Sequence, residues 1–180
     1  MERTIRKTVE RLTEETLFII MTVASAVILP QILHIIGIQI GVGGQLGQML
    51  LPMYLPVMML GFYRGPITGA IIGALSPVVS FALTGMPAEK LLPYIAIELV
   101  ATGVLAGLLA KVKMPSVLRV LSVQALAKVV RLVAFATVML VKSGSINATS
   151  LTAGIVTSIP GLVLQLAVVS CFLHYVVEEK

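Results

Sequence analysis

Three charged residues stand well inside apolar runs: Glu98 in the run from Leu91 to Leu109, and Lys128 with Arg131 in the middle of the run from Val117 to Val141. A charge near the centre of a bilayer costs about 2.5 to 3.5 kcal/mol on insertion scales, so each needs a compensating partner. One carboxylate and two cations can form an internal ion pair or capture a small ligand. If Glu98 neutralises one cation, the other is left over, and a surplus positive charge in an apolar cavity favours an anionic group such as a carboxylate. Arg131 is suited to hold that group bidentately, and Lys128 to act as a point charge.

Helical spacing extends this set. Residues three and four apart share a face, which puts Gln124, Lys128 and Arg131 on one stripe, Tyr94, Glu98 and Thr102 on a second, and Thr157, Gly161 and Gln165 on a third. Converging, these stripes would form a mostly apolar cavity with a few placed polar groups, the usual form of a small-ligand site. His34 closes the first apolar segment and reads either as a ligand contact or as a solvated loop histidine. His174 is placed as interfacial. Cys171 is the only cysteine, which excludes an intrachain disulfide and a multi-cysteine metal site, and it reads as packing.

The elements that must hold these residues are membrane spans. Hydrophobic residues make up 58% of the 180-residue chain and charged ones 12%, with mean hydropathy +1.05, which sets it apart from an ordinary soluble domain. At roughly 20 to 25 residues per span with loops, about six transmembrane helices fit. The expected architecture is a single all-α membrane domain over residues 1–180, with spans near 16–33, 49–63, 66–84, 91–109, 117–141 and 151–175. Residues 1–15 alternate in charge and read as an amphipathic lead-in, without the cleavage site of a removable signal peptide. Arg3, Arg6, Lys7, Arg11, Arg64, Lys111, Lys113, Arg119 and Lys180 fall on one side of this topology, and only Lys90 and Lys142 on the other. Basic residues concentrate in cytoplasmic loops, so both termini are expected there, in the cytoplasmic membrane of a prokaryote. The basic balance follows from that topology and gives no reason to expect nucleic acid as a partner.

Between the first two spans, HIIGIQIGVGGQLG from His34 to Gly47 reads as a glycine-rich outer loop or lid. Gly61, Gly65, Gly69 and Gly73 then recur every four residues, a stripe that favours close helix packing, with Gly103 and Gly107 as a shorter pair. Pro52 and Pro56 break the backbone bonding of the second span, which lipid tolerates only where protein or a cavity covers the break. The tripeptide Asn147-Ala-Thr149 matches a glycosylation sequon, and the nine methionines read as adaptable packing.

The block LLPMYLPVMMLGFYRGPITGAIIGALSPVVSFALTGMP, Leu50 to Pro87, followed by IELVATGVLAGLL, Ile97 to Leu109, resembles the S components of energy-coupling-factor (ECF) vitamin transporters. Together the two stretches cover about a quarter to a third of the chain. Many relatives carry a His at the position of Tyr54. The resemblance implies a six-helix subunit that captures a water-soluble vitamin with high affinity and delivers it through a transmembrane coupling protein and two ABC ATPases. Family members dock through small residues at fourfold spacing on the first helix, which Thr22 and Ala26 match here, with Ala24 and Ser25 nearby. The chain has no Walker motif, so ATP is expected on the partner subunits and no cofactor or metal on this one.

The surplus cation favours pantothenate or a similar small carboxylate vitamin. Pyridoxine or a hydroxymethylpyrimidine is the alternative, because Glu98 could serve a basic ring nitrogen or a hydroxyl. A stand-alone carrier also fits the span count, although the chain lacks two similar halves with matched broken helices. An intramembrane enzyme is disfavoured, since no His cluster, aspartate pair or Ser/His arrangement lies in the spans.

Overall fold

In the computed structural model, which describes residues 2–42, 45–143 and 156–177, every regular element among the described residues is helical. The order is α1 (Glu2–Gln39), α2 (Gln45–Leu50), α3 (Tyr54–Arg64), α4 (Pro66–Thr84), α5 (Leu92–Leu109), α6 (Ser116–Ser143) and α7 (Ile159–Phe172), closed by a π-helical turn, Leu173–Val177. Five stretches among these residues are long and apolar enough to cross a membrane: Leu12–Gln39, Pro66–Thr84, Leu92–Leu109, Ser116–Val141 and Ile159–Val176. Large apolar side chains such as Met21, Ile67 and Val141 point outward, as they do where lipid is the solvent. The chain is a multi-pass membrane protein.

Two expected boundaries change. Lead-in and first span are one continuous helix that also takes in the first part of the expected loop, from His34 to its end at Gln39. Its sequence stays apolar through Ile35, Ile36 and Ile38, and the single Gly37 costs a helix only about 1 kcal/mol, too little to end it. Next, the expected span at 49–63 is not one helix. It divides into α2 and α3 at Leu51, whose φ of 47° lies in the left-handed region. Pro52 disfavours the helical conformation for the residue before it, which accounts for the break. At 11 residues α3 is about 16 Å long, roughly half the hydrocarbon thickness. Finally, the start of the expected sixth span and the sequon at Asn147 lie outside the described residues.

α5 is the central helix, packed on α3, α4 and α6. Its contact with α4 is made by backbone: a Cβ built on Gly103 would run into the carbonyl of Gly69, and one on Gly107 into Gly65 and Pro66. The four-residue glycine period therefore serves two helices rather than one. Gly61 on α3 and Gly69 on α4 both meet Gly103, and Gly73 meets the backbone at Leu99. Gly65 turns the chain between α3 and α4 at φ 98°, a conformation that side chains resist.

α1 lies against α3 and α4 through Val23, Ala26 and Val27. Ala26 is fully buried in that core, and Thr22 is half-buried with its hydroxyl donating to the Phe18 carbonyl at 2.7 Å. Ala26 is therefore packed against its own bundle, whereas Thr22 keeps part of its surface open. At the end of the bundle nearer the N terminus, Arg64 Nη1 donates to Glu15 Oε1 at 2.8 Å while its guanidinium lies 4.1 Å from the Phe18 ring centroid. That contact ties the α3–α4 corner to α1. Cys171 is exposed on the outer face of α7 instead of packed inside.

Because backbone meets backbone at Gly103, the helices have no side chain there to rearrange. Gly103→Val should destabilise the bundle toward or beyond the upper end of the overpacking range, about 1 to 3 kcal/mol. Gly47→Ala, where a Cβ meets nothing within 4 Å, should be close to neutral. Thermal unfolding in detergent compares the two, and similar midpoints would contradict the backbone contact.

Candidate functional site

Glu98 is 1% exposed and lies midway along α5. The apolar sequence around it, free of Pro and Gly from Tyr94 to Thr102, keeps the helix intact, and the Gly103 contact fixes the helix against α4, so the carboxylate has a set position. Three groups converge on it. Tyr54, the first residue of α3, donates its hydroxyl to Oε2 at 2.7 Å. Arg131 Nη1 donates to the same oxygen at 2.8 Å. Lys128 Nζ lies 2.6 Å from Oε1, off the direction a hydrogen bond requires, and 5.5 Å from the Tyr54 ring centroid.

Burial is graded across the cluster: the Glu98 side chain is 1% exposed, Lys128 12% and Arg131 24%. The carboxylate therefore forms the back of the site and the cations its front. One negative charge against two positive ones leaves one positive charge. Both cations line a cavity of about 580 Å³ at the end of the bundle away from the N terminus. Its walls are mostly apolar, with Pro30 from α1, Leu51 and Met53 from the α2–α3 break, Ile95 from α5 and Phe135 from α6. The chain between α4 and α5, from Gly85 to Ala88, forms part of the rim. A space of this size and lining suits a small organic molecule that carries an anionic group.

The break at Leu51 is held by side chains from two other helices. Gln165 Nε2 donates to the Leu51 carbonyl at 3.4 Å, and Gln124 Nε2 donates to the Leu162 carbonyl at 3.0 Å and to Gln165 Oε1 at 3.3 Å. Gly161, one turn before Gln165, lets α7 approach the backbone of Met49 and Leu50. In lipid an irregular turn needs such satisfaction from within the protein. These bonds set where Tyr54 starts its helix and so where its hydroxyl meets Glu98.

The structure brings Glu98, Lys128 and Arg131 together and puts His34, on α1 rather than in a loop, at the cavity wall with Thr157. Gln124, Gln165 and Thr102 do not line that cavity. They surround a separate void of about 10 Å³ beside Glu98 and Lys128, where Thr102 donates to the Glu98 carbonyl at 2.8 Å. Tyr94 lies away from both, its ring edge-on to Phe135 at 5.0 Å. Sequence reasoning left Tyr54 and Ser80 out of the site. The signal for Tyr54 was its place after Pro52 in a broken span, whereas a lone serine in an apolar helix gives almost none. Among the described residues, no group of His, Cys, Asp or Glu is arranged to hold a metal ion.

Comparison with protein-family models, with curated proteins and with solved structures finds no match.

Glu98→Gln removes the counter-charge of both cations. Leaving a buried charge without its partner costs about 3 to 5 kcal/mol, so this variant should unfold at a clearly lower temperature. Adding Arg131→Gln should recover part of the loss, because the net charge returns to its original value. Thermal unfolding of the single and double variants measures the coupling; additive effects would mean that Glu98 and Arg131 do not depend on one another.

Proposed function

We propose that the chain is the substrate-binding membrane subunit of an energy-coupling-factor transporter, and that its ligand is a small water-soluble vitamin with a carboxylate, pantothenate being the best candidate. The observation that carries the ligand class is one buried carboxylate shared by two cations that line a cavity, with one positive charge in excess. The transporter class rests on the resemblance at Leu50–Pro87 and Ile97–Leu109 to S components.

With the N terminus in the cytoplasm, as the basic residues favour, the cavity opens outward, on the side from which a scavenged vitamin arrives. Arg131 binds the ligand carboxylate with the guanidinium nitrogens that Glu98 leaves free, and Lys128 adds a point charge from the other side. The apolar walls cover the rest of the molecule and exclude water, which strengthens the charged hydrogen bonds. Release to the cytoplasm requires the coupling protein and the two ABC ATPases. With Ala26 inside the fold, docking on α1 falls to the outward side of the same turn, where Ala24 and Ser25 are exposed.

Calorimetry on the purified protein tests the ligand class. Pantothenate should bind, and whichever of Arg131→Gln and Lys128→Met removes the charged hydrogen bond should lose about 1.5 to 3 kcal/mol, roughly 10- to 150-fold. Wild-type affinity in both variants would move the site elsewhere. For the transporter class, affinity purification from membranes should bring down a coupling protein with two ATPases. Uptake into liposomes by this chain alone would instead identify a stand-alone carrier.

A further inference from the structure

Ser80 lies in the last turns of α4, is 1% exposed and lines the cavity. Its neighbours one turn away bond to their own helix: Ser76 donates to the Ile72 carbonyl at 2.7 Å, and Thr84 to the Ser80 carbonyl at 2.7 Å. The Ser80 hydroxyl has no hydrogen-bond partner. Hydroxyl groups buried in apolar surroundings are ordinarily satisfied, because an unsatisfied one costs about 1 to 3 kcal/mol. An orphan hydroxyl on a cavity wall therefore points to what the cavity holds.

Its position defines the geometry of that ligand. α4 and α6 both pack on α5. The cavity is lined from both, by Ser80 of α4 and by Lys128 and Arg131 of α6. The chain after Ser80 adds Met86, Pro87 and Ile95 to the lining and brings no charge to it. A charged ligand group there would lack a counter-charge, whereas a hydroxyl can both donate to and accept from Ser80.

We infer that Ser80 is a second anchor for the ligand, on a different helix from the Lys128–Arg131 pair, so that the cavity selects small carboxylates that carry a hydroxyl remote from the carboxylate. This rests on the anionic reading of the site given above and adds its selectivity. Ser80 fixes the far end of a molecule whose charged end is held by the cations.

The test uses the full chain in detergent and calorimetry on two matched pairs of probes. These are pantothenate against its analogue with hydrogen in place of the terminal hydroxyl, and 6-hydroxyhexanoate against hexanoate. In the wild type the hydroxylated member of a pair should bind about five- to tenfold tighter. In Ser80→Ala the two members should bind alike, with an unchanged unfolding midpoint, because no bond within the protein is lost. Equal binding of both members to the wild type, or a hydroxyl preference that survives Ser80→Ala, overturns the role of Ser80 and leaves the anionic site standing. If neither pair binds the wild type, the anionic site and the second anchor fall together.

Discussion

A single carboxylate shared by two cations is the constraint around which this bundle is arranged. Three charges in hydrocarbon are affordable only if the carboxylate lies close to both cations, which requires α5 and α6, and α3 with its Tyr54 hydroxyl, to hold fixed relative positions. Glycine supplies the rigidity on one side, because Gly69 and Gly103 bring α4 and α5 into backbone contact and leave no side chain to adjust. On another side the Gln165–Leu51 and Gln124–Leu162 bonds fix the α2–α3 break, and with it the Tyr54 hydroxyl. The asymmetry of charge is the property that packing alone does not call for. A structural pair needs one cation, and this site has two.

That arrangement divides the polar residues of the spans into two layers. Gln124 and Gln165 bond to backbone and to one another, which supports an irregular turn in a low-dielectric setting, and Thr102 bonds to its own helix at the Glu98 carbonyl. Lys128 and Arg131 reach past this layer to the cavity, and Ser80 meets the same space from α4. The supporting layer sits toward the middle of the bundle and the cavity toward its end. Ligand contacts can thus differ in chemistry without disturbing the bonds that hold the break.

The charged cluster was legible in the sequence because burial of charge in an apolar run is so costly that it has few explanations, and the helical spacing put Lys128 and Arg131 on one face of α6, whereas it misplaced Tyr94, which packs on Phe135. The membrane class was legible for the same reason, since long apolar runs leave little choice. Other features depend on tertiary contacts that spacing does not encode. Ala26 looks like an exposed small residue until α3 and α4 are seen to cover it. His34 looks like a loop residue because glycines follow it, yet the isoleucines between carry the helix past it. Tyr54 belongs to none of the three polar stripes, and only the turn at Leu51 aims it at Glu98. Ser80 is invisible in sequence because a serine on an apolar helix usually bonds to its own backbone; its significance comes from the bond it does not make.

The central claim is that the excess positive charge at Lys128 and Arg131 belongs to an anionic ligand. Calorimetry of the wild-type protein with pantothenate and with pantothenol, which has the same skeleton but a neutral alcohol in place of the carboxylate, tests it most directly. Loss of a charge-assisted hydrogen bond is worth about 1.5 to 3 kcal/mol, so pantothenate should bind at least about tenfold tighter than the alcohol. Equal affinity for the two, or tighter binding of the neutral one, would contradict the account.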